Sequence, residues 1–189
     1  MTRQNGPRID DEHQRQGAPV NTTLAPTFFR WLCSVDNAIG ATGVALATGV
    51  PLCAGDVISN ITFVTGGTAA VTPTAGFVAL YSAAATPALL AQSADFGATA
   101  RAANTAYTVP LVTAQTITAD GFYYVSISFT AATIPTLRGI NTGSAVMAGA
   151  LGLSMKVLAQ THGAAVGAVA PATIASPTTV ATPCWFALS

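Results

Sequence analysis

The chain has 189 residues with 7 basic and 7 acidic side chains, so 7% of it is charged and the formal net charge is zero, against roughly 25% charged in an ordinary domain. A neutral chain without a basic cluster lacks the electrostatic footprint for binding a phosphate backbone, and sparse charge with 51% hydrophobic residues excludes the highly charged disordered class. The 17 glycines follow no three-residue period, which excludes a collagen-like helix.

The chain begins with a stretch unlike the rest. Residues 1–17 hold Arg3, Arg8, Asp10, Asp11, Glu12 and Arg15, six of the fourteen charges, and Ile9 is their one sizeable branched aliphatic. Such a segment cannot bury enough of itself to become ordered alone. The expectation is an extended arm over residues 1–20 that lies across a neighbouring subunit, adds main-chain hydrogen bonds to it and touches it through Arg3, Arg8, Ile9 and Arg15. Residues 21–189 read as one β-sandwich domain.

Segments 28–35, 43–48, 56–65, 76–82, 88–93, 106–112, 121–130, 153–160 and 179–187 predict strands, separated by turn residues such as Pro51, Gly55, Pro73, Pro87, Gly97, Pro135 and Gly139. In 121–130 the residues Tyr123, Val125, Ile127 and Phe129 share one parity, while Phe122, Tyr124, Ser126 and Ser128 share the other. In 56–65 the apolar parity is that of Val57, Ile61 and Phe63. One short helix is expected around residues 143–151. Eight or nine short strands without intervening helices predict an all-β, antiparallel β-sandwich. A jelly-roll-like order is the first choice, although periodicity does not separate it from an immunoglobulin-like one.

Catalysis needs titratable groups brought together, and few are present. His13 lies in the arm, and His162 follows a predicted strand with no GxSxG elbow to support it. The remaining acids, Asp36, Asp56, Asp95 and Asp120, read as turn and cap residues. No DxDxDG calcium loop and no phosphate-binding loop occurs. Neither an enzyme nor a cofactor or metal site is expected. Cys33, Cys53 and Cys184 show no metal-ligand spacing; they read as three buried thiols, with one disulfide plus a free thiol as the other arrangement. Trp31, Trp185, Phe28, Phe29, Tyr107, Tyr123 and Tyr124 read first as core or interface anchors and second as a sugar-stacking platform. The apolar run 142–155 is shorter than the roughly 20 residues of a membrane span, and the first residues lack the apolar stretch of a signal peptide. A protein made and used in a reducing cytoplasm or released by lysis, away from membrane, is expected.

Residues 18–189 carry eight charges, too few for a monomer whose surface is usually about 25–35% charged. The sequence therefore points to an assembly component. Its middle carries the segments AGDVISNITFVTG (54–66), FVALYS (77–82), LLAQS (89–93), DGFYYV (120–125) and IPTL (134–137). In order and spacing these resemble small virion proteins of tailed bacteriophages of actinobacterial hosts, the head decoration and minor tail proteins. The resemblance covers residues 50–140. It implies a non-enzymatic protein on the particle exterior, clustered with copies of itself as a homotrimer and bound to other virion proteins such as the major capsid protein. A carbohydrate-binding module for host-surface glycans is the alternative.

Overall fold

The computed structural model describes residues 25–150 and 155–189. The expected arm, with Arg3, Arg8, Ile9 and Arg15, lies outside the described residues. In chain order the elements are β1 (Ala25–Pro26), a 3-10 turn (Arg30–Leu32), β2 (Val35–Ala38), β3 (Ala45–Leu52), β4 (Val57–Val64), β5 (Val71–Tyr81), β6 (Leu89–Gln92), β7 (Ala106–Thr116), β8 (Gly121–Thr133), β9 (Thr136–Gly139), α1 (Ala145–Ala148), β10 (Ala159–His162), β11 (Thr178–Thr179) and β12 (Phe186–Leu188).

One sheet has the order β1-β12-β4-β7 and the other β11-β10-β3-β8-β5-β6, with every paired neighbour antiparallel. Eight of these strands, β1, β3, β4, β5, β6, β7, β8 and β12, form the body of the sandwich. Numbered along the chain by themselves, they read 1-8-3-6 in one sheet and 2-7-4-5 in the other. Successive strands thus alternate between sheets, apart from the hairpin of the fourth and fifth, as in a jelly roll. β10 and β11 widen the second sheet beyond β3, and β2 with β9 forms a separate ribbon.

Alternation along β8 produces two cores. Tyr123, Val125, Ile127 and Phe129 point between the sheets, where they join Leu46, Val50, Ile61, Phe63, Val78, Leu80 and Phe186. The rings of Phe63, Phe96 and Phe129 meet there at 5.4–6.2 Å between centroids. The other parity is buried too. Tyr124 packs with Ala45, Ala47, Phe77, Ala79 and Tyr81, and with Ala170 and Ile174, because residues 163–177 lie as a strap over the outer face of the larger sheet. Both faces of the strand are covered, so its polar members Ser126 and Ser128 are fully buried.

Several elements depart from the sequence pattern. β3 and β5 run through Pro51 and Pro73, which the pattern reads as breaks. Pro51 lies beyond the last β10 pair at Thr48, and the register slips between Pro73 and Ala75. A proline is tolerated at such an open edge and at such a bulge. In β4 the apolar parity flips. Val57 is exposed while Ile58 is buried, because Ser59 and Asn60 both donate their N–H to the Ser189 oxygen at 2.7 Å and the register shifts there. Two consecutive donors on one acceptor mark a bulge that turns the following side chains over. Segment 134–139, read as a turn, contains β9, and segment 179–187 divides between β11 and β12 in different sheets.

Candidate interaction surface

Segment 28–35 predicts a strand, yet it folds as a tight turn. Leu32 N–H bonds the Phe29 carbonyl at 3.0 Å and Cys33 N–H bonds the Arg30 carbonyl at 3.1 Å, so local bonds replace a ladder. The turn is fixed from beneath. Trp185 Nε1 donates to the Phe28 carbonyl at 3.1 Å, and Thr27 N–H donates to the Phe186 carbonyl, which fastens the turn to β12. Its apolar side chains face outward: Phe29 is 40%, Trp31 69% and Leu32 48% exposed. The Phe29 and Trp31 rings stack at 4.6 Å and 13°, each limiting the rotation of the other. Arg30 is exposed beside them. Burial pushes the neighbouring Cys33 thiol up to about 11, against the pull of the Arg30 charge.

The same end of the sandwich carries a polar cluster. The ribbon of β2 and β9 places Asp36 opposite Arg138, and their side chains pair at 2.8 Å. Asp36 also accepts the Gly67 N–H at 2.6 Å, while Arg138 donates to Asn104 at 2.7 Å. Gly66 is required there, because a Cβ at that position would overlap the Asp36 carboxylate and the Thr136 hydroxyl. Before β7, Arg101 lies with its guanidinium 4.9 Å from the Phe96 ring centre and 4.7 Å from that of Tyr107.

The candidate residues of the sequence are dispersed. His162 is buried, with Nε2 2.8 Å from Ser126 Oγ and its ring edge-on to Tyr81; it lies within β10 rather than in a turn. Burial pushes its pKa down to about 4. Ser126 is fully buried and His162 is 3% exposed. Asp56 accepts the Cys53 N–H and Asp95 that of Gly97, as turn residues do, while Asp95 also accepts the Gly76 N–H and Asp120 that of Ala54, which tie separate parts of the chain. Of the three cysteines read as buried thiols only Cys184 is buried, its thiol pushed up by desolvation, while Cys33 and Cys53 are half-buried. Among the described residues no group of histidines, cysteines and acids is placed to hold a metal, and no helix is long and apolar enough to cross a membrane.

Of the seven aromatic candidates, Trp185, Tyr123 and Tyr124 are core residues, and Phe28 and Tyr107 are half-buried. Phe29 and Trp31 are the two that project. Alternating apolar spacing gives no sign of this, since a projecting turn and a strand can share one pattern. No protein-family model matches the chain, and no curated protein is significantly similar to it.

Proposed function

We propose that this chain is a structural protein of a tailed-bacteriophage particle, set on the exterior of the capsid or tail and held by contacts with copies of itself, as a homotrimer, and with the major capsid protein. The observation that supports this reading best is a rigid, outward-facing apolar turn on a closed jelly roll. Jelly rolls serve as capsid and lectin domains, and aromatic residues beside an arginine are the usual anchors of protein interfaces. The sparse charge of the body and the resemblance of residues 50–140 point the same way.

A second reading, host-glycan binding, is favoured by one observation. The Phe29–Trp31 stack leaves one broad indole face open, and pyranose rings pack on such faces through their C–H groups. Purified virions separate the readings. For a lattice decoration, gel densitometry finds on the order of a hundred copies or more per particle; a few copies indicate the tail. Trp31→Ala, whose melting temperature should match that of the parent, loses particle incorporation if the turn is an assembly anchor. It loses only host-cell adsorption if the turn is a sugar platform. Absence of the chain from purified particles overturns the virion reading.

A further inference from the structure

The acids and the cations of the body are used differently. Asp36, Asp56, Asp95 and Asp120 each accept a main-chain N–H that closes a turn or loop, and Asp36 also holds Arg138. Arg30 and Arg101 make no ion pair or side-chain hydrogen bond among the described residues. Arg30 is exposed, but Arg101 is only 8% exposed, and its Nε is enclosed without a partner. The Phe96 and Tyr107 rings hold that guanidinium by cation–π attraction and satisfy none of its N–H donors. Desolvation accordingly lowers its pKa. A buried donor left unmatched is unfavourable, and a planar guanidinium held in one orientation is the group a carboxylate matches best.

The chain's other acids are consecutive: Asp10, Asp11 and Glu12, preceded by Ile9. Along the strand axis Arg30 and Arg101 lie toward one end of the smaller sheet, Arg30 with the apolar turn of Phe29, Trp31 and Leu32 just after edge strand β1 and Arg101 just before the opposite edge strand β7. Thr27, Phe186 and Phe63 mark this end on the smaller sheet, and Phe63 also packs against Tyr107. Three acids beside an aliphatic residue suit two cations and an apolar turn.

The source of that segment follows from the rest of the surface. Ala25 pairs with Leu188, which pairs with Ile61, so the described chain begins one two-residue step along the sheet from the level of Thr27, Phe186 and Phe63. A stretch from residue 12 to residue 25 spans at most about 45 Å, and a chain could reach its own Arg101. The surface, however, exposes ten large hydrophobic side chains among the described residues and has few charges, a composition suited to burial against other subunits.

We propose that the acidic segment 10–12 of one copy docks at the Arg101 end of a second copy, its carboxylates meeting the guanidiniums of Arg101 and Arg30 and its Ile9 meeting the Phe29–Trp31 turn. This deepens the reading of the arm as an intersubunit tie and gives its acids a part beside Arg3, Arg8 and Arg15. Joining one end of each copy to the arm of the next is a heterologous contact, which closes into a ring when the rotation permits.

Charge reversal in the full chain tests the proposal. Asp10→Lys, Asp11→Lys and Glu12→Lys together should weaken self-association at least tenfold by analytical ultracentrifugation, and so should Arg101→Glu with Arg30→Glu. Combining both sets should restore association to within a few-fold of the parent. If the reversal at Arg101 prevents folding, Arg101→Lys keeps the charge and permits carbodiimide cross-linking in an equal mixture of light and heavy-isotope chains. Mixed-isotope peptides joining residue 101 to residues 10–12 are expected. Same-isotope peptides alone place the segment on its own body and overturn the proposal, as does unchanged association after reversal of the three acids. Absence of the chain from virions overturns the virion reading and leaves these cross-links standing. A particle-borne chain without the mixed-isotope cross-links overturns the docking alone.

Discussion

The two cores on either side of the larger sheet are built from different chemistry. Between the sheets, side chains of Phe63, Phe96, Phe129, Leu46 and Ile127 interlock, and each removes a large apolar area from water. On the outer face the sheet contributes Ala45, Ala47 and Ala79 with Phe77, Tyr81 and Tyr124, and buried polar groups stand among them: Ser126, Ser128, Gln160 and His162. The strap over this second core is tied largely by hydrogen bonds. Ala170 N–H bonds Gln92 Oε1 at 2.9 Å, Tyr81 Oη donates to the Pro171 carbonyl at 2.8 Å, and Val166 N–H bonds the Gly43 carbonyl at 2.8 Å. The first core is therefore expected to set the global stability of the sandwich. The second sets the local opening of residues 163–177, because shallow packing and directional bonds yield at lower free energy than interdigitated rings.

The largest effect that separates them is a cavity in the first core. Phe129 is 1% exposed and packs against Phe63 and Phe96. Phe129→Ala should cost about 3–5 kcal/mol, read as a large fall in the urea midpoint of the whole domain. Protection of strap amides from hydrogen exchange should fall with it, since the strap has no sheet to cover once the sandwich opens. Loss of strap protection without a lowered global midpoint would reverse the assigned order of the two cores.

Acid should act mainly on the second core. His162 is 3% exposed, its Nδ1 has no partner, and its pKa is held near 4, below the usual 6.5. The cause is burial. The elements packed around it, β3, β5, β8, β11 and residues 163–177, carry no acid and no other cation; the Tyr81 ring stands nearly perpendicular to it at 5.4 Å. Between pH 6.5 and about 4 the unfolded chain binds a proton there that the folded chain refuses, so stability falls as the pH drops through that window and levels below it. The full loss is about 3 kcal/mol. Hydrogen exchange at pH 7 and pH 4.5 should show strap amides losing protection before those of β5 and β8, and His162→Gln should flatten the dependence. Equal loss in both regions would mean that the histidine couples to the whole sandwich.

This contrast explains how far the sequence could be read. The alternation of β8 and the scarcity of helix formers are local signals, and they led to the sandwich. The inward parity of Tyr123, Val125, Ile127 and Phe129 was legible for the same reason. What the pattern missed depended on partners distant in the chain. The bulge at Ser59 and Asn60 exists because the Ser189 oxygen lies against β4, about 130 residues away, and no property of Val57 announces that it faces water. Burial of Ser126 and His162 requires a strap whose Ala-, Val- and Gly-rich sequence looks like a loop. The projecting turn is the clearest case: Phe29, Trp31 and Leu32 have the composition of core residues, and only the bonds to Trp185 and Phe186 show that they are held outward. The turn role of Asp56 could be read because it acts on Cys53, three residues away, whereas Asp120 reaches the N–H of Ala54 and Asp95 that of Gly76, 66 and 19 residues away, which no local pattern announces.

The smallest effect that keeps the two cores apart is a single hydroxyl. Tyr81 is fully buried at the end of β5, its phenol is pushed up in pKa by burial, and its one hydrogen bond crosses to the strap at Pro171. Tyr81→Phe keeps the ring against His162 and removes only that bond. The Pro171 carbonyl is left without the donor, which costs about 1 kcal/mol. If the strap opens as a unit apart from the sandwich, that loss appears in full in the exchange of amides in residues 163–177, while the amides of β8 keep the protection of the parent. An equal change at β8 would mean that the strap and the sheet unfold together, and that the outer layer belongs to the same cooperative unit as the aromatic core.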